Sequence, residues 1–196
     1  MNFLAHLFLA GPEPDLIVGN FIGDFVRGRD WQQQCGPDVV RGVFLHRAID
    51  TFTDRHPIVK QSQSRLRLKY RHYARVIVDV YYDHYLAARW SEYAGEPLTS
   101  FAERAYELLA DRDATLPERA RGIVPHMRAG NWLVQYAQLE GVARALGGLS
   151  HRAAPGSRMH EAIDDLRAHY PAFETEFQVF FPDLQAFADA WRQTPR

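Results

Sequence analysis

The stretch GVFLHRAIDTFTDRHP, residues 42–57, has the periodicity of a core-facing helix, yet it carries charged side chains among its apolar positions. Residues three or four positions apart lie on the same face of an α-helix. One such stripe runs from Val43 through His46 and Asp50 to Thr53. Burying an imidazole and a carboxylate is costly unless they are paired or bind a metal. The stretch therefore predicts a helix that carries either a satisfied buried polar cluster or half of a functional site.

Helical periodicity extends over most of the chain and decides the fold class. Residues 65–70, RLRLKY, alternate as a strand would, but the longer register from Leu66 to Ala87 advances in steps of three and four and favours a helix. Gly147-Gly148 and Pro182 are predicted to end helices, because glycine and proline interrupt helical segments. The predicted helices cover residues 2–10, 15–27, 36–56, 62–90, 99–112, 117–130, 131–146, 157–181 and 183–193. The sequence thus predicts an all-α fold, a compact helical bundle formed by one domain over residues 1–196.

Composition limits the class of protein and its surroundings. The chain has 196 residues, 46% of them hydrophobic, as in a globular protein with a sizeable core. The net charge of −1 argues against a general nucleic-acid binder, and the lone Cys35 cannot form an internal disulfide, which suits a reducing compartment. The apolar N-terminus lacks a basic region and is interrupted by His6, and no stretch reaches the about 20 apolar residues of a membrane span. We therefore expect a cytoplasmic protein that does not enter a membrane.

The segment DVYYDHYL, residues 79–86, places two carboxylates among apolar residues. Asp79 and Asp83 are four positions apart and so share one helical face, and His84 adjoins Asp83. The surrounding valines and tyrosines argue against a solvated face. These polar groups are therefore predicted either to be hydrogen-bonded within the core or to act in a site.

Two other polar residues lie in apolar segments nearer the N-terminus. In GNFIGDFVRG, residues 19–28, Asp24 lies in an apolar run three positions before Arg27. His6 stands alone within MNFLAHLFLA, residues 1–10. Asp24 could be a hydrogen-bonded carboxylate of the core, and His6 a core histidine with its hydrogen bonds satisfied. Alternatively, both residues could belong to a functional site.

Two predicted helices each bring a histidine and an aspartate to inward-facing positions, which indicates a metal site. Imidazole with several carboxylates suits Mn²⁺, Mg²⁺ or Fe²⁺ better than a sulfur-rich zinc site. Helix bundles commonly build such sites from side chains on facing helices. A bound ion could polarise a phosphoryl oxygen and lower the pKa of a water molecule, and Arg27 or Arg47 could hold a phosphate. The residues alone thus favour metal-assisted hydrolysis without identifying a substrate.

One segment of the chain is strongly basic. No aspartate or glutamate occurs from Arg55 to Val78. A solvated helix face would explain this pattern, and so would a docking surface for an acidic macromolecule, because segregated charge steers encounter and sets orientation. Nucleic acid and an acidic protein both fit, although the tyrosines of this segment fall on its apolar stripe and do not favour base stacking. The residues predicted to form the docking surface are Arg65, Arg67, Lys69, Arg71 and Arg75.

Four blocks in this order resemble the acyl carrier protein phosphodiesterases of Gram-negative bacteria. They are MNFLAHLFLA at 1–10, GNFIGDFVRG at 19–28, GVFLHRAIDTFTDRHP at 42–57 and DVYYDHYLAARW at 79–90, with a looser match through NWLVQY at 131–136. The resemblance implies an HD-like all-α phosphohydrolase that uses a divalent metal, typically Mn²⁺. This chain departs from ordinary HD enzymes, because it lacks their adjacent His-Asp dyad and has the reversed order Asp83-His84.

The resemblance also implies a reaction and a partner. Enzymes of this family hydrolyse the phosphodiester that links 4′-phosphopantetheine to a serine of holo-acyl carrier protein. The products are apo-acyl carrier protein and 4′-phosphopantetheine. Acyl carrier proteins are small and strongly acidic, so the basic segment could bind the carrier while its phosphate reaches the metal.

The predicted site combines the motif residues with the roles that this chemistry requires. The predicted metal ligands are Asp24, His46, Asp50 and Asp83, and the predicted catalytic residues are Asp79, His84 and His6. Three other functions remain open: an HD-like nucleotide phosphohydrolase, a non-catalytic helical adaptor for an acidic protein, and an RNA-binding helical protein. Activity on free nucleotides together with indifference to carrier protein would favour the first, and absence of any bound metal would favour the second.

Overall fold

The computed structural model describes residues 1–28 and 30–194, and all regular structure within them is helical. The all-α prediction is therefore confirmed for this part of the chain. No helix in these ranges is long and apolar enough to cross a membrane. The α-helices are α1 (Phe3–Leu9), α2 (Pro14–Ile22), α3 (Pro37–Arg55), α4 (Pro57–Tyr70), α5 (Ala74–Ala88), α6 (Leu98–Asp111), α7 (Glu118–Ala129), α8 (Trp132–Gln135), α9 (Leu139–Arg152), α10 (Ala162–Ala168) and α11 (Tyr170–Gln193).

Helix α5 lies at the centre of the fold. It packs against α1, α4, α9 and α11, and its residues from Val80 to Ala87 are all buried. Burial of apolar side chains contributes about 25 cal/mol for each Å² removed from water, so this helix and its neighbours supply a large share of the driving force for folding. Helix α1, which carries His6, is thus held against the most buried helix of the described residues.

The sequence predicts one helix over residues 62–90, whereas the structure has two. The chain breaks at Arg71, which has the left-handed value φ 52°, and α5 begins three residues later. The break allows α4 to fold back and pack against both α5 and α11. Leu66 in α4 and Ile77 in α5 are both buried in this arrangement.

The helix ends predicted at Gly147-Gly148 and at Pro182 are wrong because packing outweighs local propensity. Helix α9 continues through Gly147-Gly148 to Arg152, since Leu146 and Leu149 on either side pack into the core. Pro182 lies inside α11, where the buried aromatic residues before it hold the helix together despite the missing N–H. Helix α2 ends earlier than predicted, at Ile22, and Gly23, Asp24 and Phe25 form a turn.

Helices α2 and α3 approach each other closely at a pair of glycines. A Cβ atom on Gly19 would lie 2.1 Å from the carbonyl oxygen of Val39, and one on Gly42 would lie 2.7 Å from the Cα of Gly19. Any larger side chain would therefore push the two helices apart. The contact sets the position of His46, which lies one turn along α3 from Gly42.

Replacement of Gly42 by alanine is expected to destabilise the protein by about 1–3 kcal/mol, because the added methyl group overpacks the crossing of α2 and α3. Gly147→Ala is the matched control, since a Cβ at Gly147 meets nothing within 4 Å. That change should stabilise α9 by about 0.5–1 kcal/mol, because alanine is the better helix former. Denaturant unfolding measures both free energies. Equal effects of the two substitutions would contradict the close approach.

Candidate metal centre

Two buried imidazoles from different helices lie face to face. The ring centroids of His6 in α1 and His46 in α3 are 3.8 Å apart, with an angle of 16° between their planes. The Nε2 atom of His6 is 3.1 Å from Oδ1 of Asp50, and the Nε2 atom of His46 is 3.3 Å from Oδ2 of the same residue. One carboxylate therefore faces both imidazoles from the side.

Asn20 fixes the opposite edges of both rings. The Nδ1 atom of His46 is 2.8 Å from the backbone oxygen of Asn20, and the Nδ1 atom of His6 is 2.9 Å from its side-chain oxygen. Both oxygens accept, so each Nδ1 carries the proton and donates. In the neutral rings the two Nε2 lone pairs are consequently directed at the carboxylate of Asp50. An outer hydrogen bond of this kind is how proteins orient metal-ligating histidines.

Asp24 completes one side of this group. Its Oδ1 atom is 3.3 Å from Nε2 of His46, and its side chain is 68% exposed in the turn that follows α2. His46 can approach this turn only because residue 23 is glycine, since a Cβ there would lie 2.2 Å from the imidazole ring. The structure thus brings Asp24, His46 and Asp50 together and adds His6.

Ligand atoms of His6, His46 and Asp50 all lie within 4.8 Å of one another, which is the spacing of groups that share a metal ion. Lone pairs of Nε2 facing carboxylate oxygens repel one another unless a proton or a cation lies between them. The set contains two imidazole nitrogens, a carboxylate and no sulfur, which suits Fe²⁺ or Mn²⁺ better than Mg²⁺, a cation that prefers oxygen ligands. The geometry therefore fits a divalent cation at this point.

Charges within the group shift the pKa values in opposite directions. Burial disfavours the charged form of His46, but the carboxylates of Asp24 and Asp50 outweigh it and raise the pKa of His46 to about 9. Burial and the neighbouring His46 lower the pKa of His6 to about 4. Burial alone would raise the pKa of Asp50, yet the Met1 ammonium and the two imidazoles hold it well below its usual range. Without metal, His46 is therefore charged at neutral pH and His6 is neutral.

Asp79 lies beside this group in the same cleft. Its Oδ1 atom is 3.1 Å from the α-amino group of Met1, which in turn is 3.6 Å from Oδ1 of Asp50. Burial raises the pKa of Asp79 above its usual value, although the ammonium opposes this effect. The cleft has a volume of about 510 Å³ and is also lined by Asp54, Arg75 and Arg152 among others.

The other two predicted site residues of α5 make contacts elsewhere. Asp83 is fully buried and accepts hydrogen bonds from the backbone N–H groups of Asn2, Leu4 and Ala5, at 3.3, 2.7 and 3.3 Å. Asp83 therefore caps the N-terminus of α1. The ring of His84 bridges the backbone oxygen of Tyr136 and the hydroxyl of Tyr170. Neither side chain belongs to the group around Asp50.

The predicted phosphate-binding arginines also lie apart from the imidazole pair. The guanidinium of Arg47 is 5.4 Å from the centre of the Trp31 ring and 5.9 Å from that of Phe44, so it stacks on aromatic surface. Arg27 is exposed after the turn that contains Asp24. Arg75 and Arg152 are the arginines that line the cleft itself.

The basic segment divides into paired and unpaired residues. Arg65 forms an ion pair with Glu176 at 2.6 Å, Lys69 with Asp165 at 3.0 Å, and Arg75 pairs with Asp54. Arg67 and Arg71 are exposed and form no ion pair within the described ranges. Leu68 between them is 99% exposed. The free part of the predicted docking surface is therefore the end of α4.

Two important groups of the centre were missed by sequence reasoning. Asn20 is a polar residue in the apolar run of α2, and it precedes Asp24 by four positions, which is the signal that could have identified it. The α-amino group of Met1 carried no such signal. Its pKa is raised to about 11, because Asp79 and Asp50 outweigh the effect of burial.

The opposite pKa shifts of His46 and His6 predict how the metal-free protein titrates. NMR titration should show His46 charged up to about pH 9 and His6 neutral down to about pH 4. Because the pKa of His46 in the folded protein lies above the value of 6.5 for an unfolded chain, its contribution to stability is complete below pH 6.5 and is lost as the pH rises through 9. Two histidines that both titrate near 6.5 would contradict the contact with Asp24 and Asp50.

Asp83 variants separate capping from metal binding. Asp83→Ala is expected to lower the free energy of unfolding by about 1–2 kcal/mol, because α1 loses its cap. Asp83→Asn keeps an oxygen that accepts hydrogen bonds, so its free energy of unfolding should fall by less. This variant should bind Mn²⁺ with the affinity of the parent protein. Asp50→Asn is the comparison and should bind Mn²⁺ weakly while remaining folded. If Asp83→Asn protein as stable as the parent loses Mn²⁺ affinity in calorimetry, Asp83 contacts the ion in addition to α1, contrary to this account.

Comparison with known proteins identifies the family of this chain. Residues 1–184 match the family model described as acyl carrier protein phosphodiesterase. Proteins named acyl carrier protein phosphodiesterase from Escherichia coli O139:H28 (strain E24377A / ETEC) and from Escherichia coli O9:H4 (strain HS) are each 35% identical over 189 residues, covering 96% of this chain and 97% of the relative. No solved structure matches the chain. The chain therefore belongs to the acyl carrier protein phosphodiesterase family.

Proposed function

We propose that this protein hydrolyses the phosphodiester between 4′-phosphopantetheine and a serine of holo-acyl carrier protein, giving apo-acyl carrier protein and 4′-phosphopantetheine. Membership of the family supports the reaction. The observation that carries the proposal is the stacked pair of imidazoles, both directed at Asp50 beside an open cleft. The reaction would take place in the cytoplasm, where the sequence predicts this protein.

The histidine pair and Asp50 would hold a divalent cation, for which Mn²⁺ is the first candidate and Mg²⁺ or Fe²⁺ the others. Asp24 would add a carboxylate from the exposed side, as its distance of 3.3 Å from His46 Nε2 supports. When bound, the cation would polarise the phosphoryl oxygen and lower the pKa of a water molecule. Asp83 is left out of this proposal, because three backbone N–H groups already use its carboxylate.

The remaining groups of the cleft have roles that follow from their charge. Asp79 lines the cleft, and burial raises its pKa while the Met1 ammonium 3.1 Å away opposes this effect, so Asp79 is the carboxyl group proposed for acid–base transfer to the departing serine oxygen. Asn20 keeps both imidazoles in the tautomer with free Nε2 atoms. Arg75 balances the carboxylate of Asp54 at the edge of the cleft, near the position where the acidic carrier would dock.

Docking of the carrier is proposed for the exposed end of α4. His72 and Arg75 line the cleft, so Arg71 and Arg67 lie on the segment that leads to it. Their charges are not used by ion pairs within the described ranges, whereas Arg65 and Lys69 bind acidic residues of the protein itself. The exposed Leu68 would give the same surface an apolar contact.

Mass spectrometry of holo-acyl carrier protein tests the reaction. Incubation with the protein and Mn²⁺ should convert holo- to apo-carrier and release 4′-phosphopantetheine, and a chelator should stop the conversion. His46→Ala should abolish turnover, whereas His126→Ala, at an exposed position of α7, should leave it unchanged. Intact holo-carrier after incubation with folded, metal-loaded protein would refute the proposal, and cleavage of free nucleotides instead would favour a nucleotide phosphohydrolase.

Charge reversal tests the docking surface. Arg67→Glu with Arg71→Glu should raise KM for holo-carrier and reduce its dependence on salt, because exposed charges act over a Debye length of about 8–10 Å. The loss of uniform binding should leave kcat nearly unchanged. Arg119→Glu with Arg121→Glu, on the exposed side of α7, is the control with the same change in net charge. Equal KM values for the two double variants at low salt would show that the carrier docks elsewhere.

A further inference from the structure

A second cavity adjoins the cleft that contains the candidate metal centre. It has a volume of about 370 Å³ and lies between the N-terminal residues and helices α8 and α9. Small-molecule sites have volumes of about 300–1,000 Å³, so the cavity is large enough for a ligand. Asn2, Phe3, Leu149 and Arg152 line both this cavity and the cleft. A ligand that crossed this shared wall would reach from one space into the other.

The walls of the second cavity suit a long, narrow chain that contains amide groups. Trp132, Tyr136 and Leu149 supply apolar surface, and the α9 side is lined by small residues such as Gly148. Polar groups are few. The Asn2 amide donates to the Tyr136 hydroxyl at 2.8 Å, and the Gln135 side chain accepts from Arg144 at 2.6 Å. Pantetheine combines dimethyl and methylene carbons with two amides and a terminal thiol, which matches an apolar slot with a few hydrogen-bonding groups.

Arg152 provides a positive charge where the two spaces meet. It lines both of them and makes no ion pair within the described ranges, whereas Arg75, the other arginine of the cleft, is paired with Asp54. A free guanidinium can bind two oxygens of one phosphate group. In the phosphopantetheine arm, the phosphate lies between the serine and the pantetheine, so a phosphate at Arg152 would leave the pantetheine on the cavity side.

We propose that the cavity between α8 and α9 receives the pantetheine arm of holo-acyl carrier protein, with Arg152 binding the phosphate at its entrance. This proposal rests on the function proposed above, since it assigns a subsite to that substrate. The arm would enter the cavity while the carrier stays on the surface. The phosphodiester would then lie at the junction, within the cleft that Asp24, Asp50 and Asp79 line.

Gly148 allows the cavity to be filled without disturbing the fold. A Cβ built at Gly148 meets no atom within 4 Å, and Gly148 lines the cavity. The adjacent Gly147 offers the same open space but is not among the residues that line the cavity, so it is a matched control on the same helix. Leucine at either position should maintain or raise the stability of α9, because glycine is the poorer helix former by about 1 kcal/mol.

The test compares Gly148→Leu, Gly147→Leu and Arg152→Gln with the parent protein. Calorimetry with 4′-phosphopantetheine measures binding to the cavity without any turnover. Kinetics with holo-carrier and with bis(4-nitrophenyl) phosphate, which lacks the arm, separates arm binding from phosphate binding. Thermal unfolding shows whether each variant is folded.

Gly148→Leu is expected to weaken binding of 4′-phosphopantetheine and raise KM for holo-carrier by about tenfold or more, with unchanged rates on the small diester. Gly147→Leu should match the parent in every assay. Arg152→Gln should weaken the binding of holo-carrier and of the small diester by about tenfold each, because both contain the phosphate group that Arg152 would bind. If leucine at position 148 lowers the unfolding temperature, Arg152→Gln still tests whether the phosphate binds where the cavity meets the cleft.

Two outcomes would overturn the inference. One is equal affinity of folded Gly148→Leu and Gly147→Leu protein for 4′-phosphopantetheine, and the other is absence of binding to the parent. If the parent binds 4′-phosphopantetheine in a way that leucine at 148 blocks, yet leaves holo-carrier intact, then the proposed reaction fails while the subsite stands. If holo-carrier is cleaved equally by all variants, the reaction stands and the subsite fails.

Discussion

The two hydrogen bonds that Asn20 accepts, one at its backbone oxygen and one at its side chain, determine the geometry of the candidate metal centre. They hold the rings of His6 and His46 with both Nε2 atoms towards Asp50. Without them, either ring could rotate or change tautomer and satisfy the carboxylate as an ordinary donor. The close approach of α2 and α3 at Gly19 is what brings Asn20 within reach of α3. The geometry of the candidate metal centre therefore depends on the contact between Gly19 and Gly42.

The second requirement is the position of α1, which brings His6 to the site. Seven residues make a helix that is too short to be stable by itself in water. Its N-terminal N–H groups are satisfied by Asp83 of α5, and its apolar side chains are buried against α2, α5 and α11. The buried helix α5 thus holds the short helix α1, and with it His6, in place. Asp83 serves the centre indirectly, by fixing the helix that carries one of its imidazoles.

Much of this arrangement could be predicted from the sequence, and the reasons for the failures are physical. Apolar periodicity predicted most of the helical segments but merged α4 with α5, α8 with α9 and α10 with α11. The four-residue spacing of His46 and Asp50 predicted that they share one face. Spacing within one helix does not tell which neighbouring helix a side chain will contact. Asp83 was therefore assigned to the metal, although the adjacent N-terminus of α1 uses its carboxylate. For the same reason, the spacing of Asn20 and Asp24 could mark Asn20 as a candidate but could not show that it contacts His6 and His46. Helix ends at Gly147-Gly148 were wrong because tertiary packing of α9 exceeds the small cost of glycine.

Pulsed electron paramagnetic resonance of Mn²⁺ bound to the protein with ¹⁵N-labelled histidine tests the account most directly, because it detects nitrogen atoms that coordinate the ion. The account predicts couplings from two histidine nitrogens. His6→Gln and His46→Gln should each remove one of them, and His84→Gln should remove neither. Mn²⁺ that binds without any histidine coupling, or a coupling that disappears in the His84 variant, would contradict a centre formed by His6, His46 and Asp50.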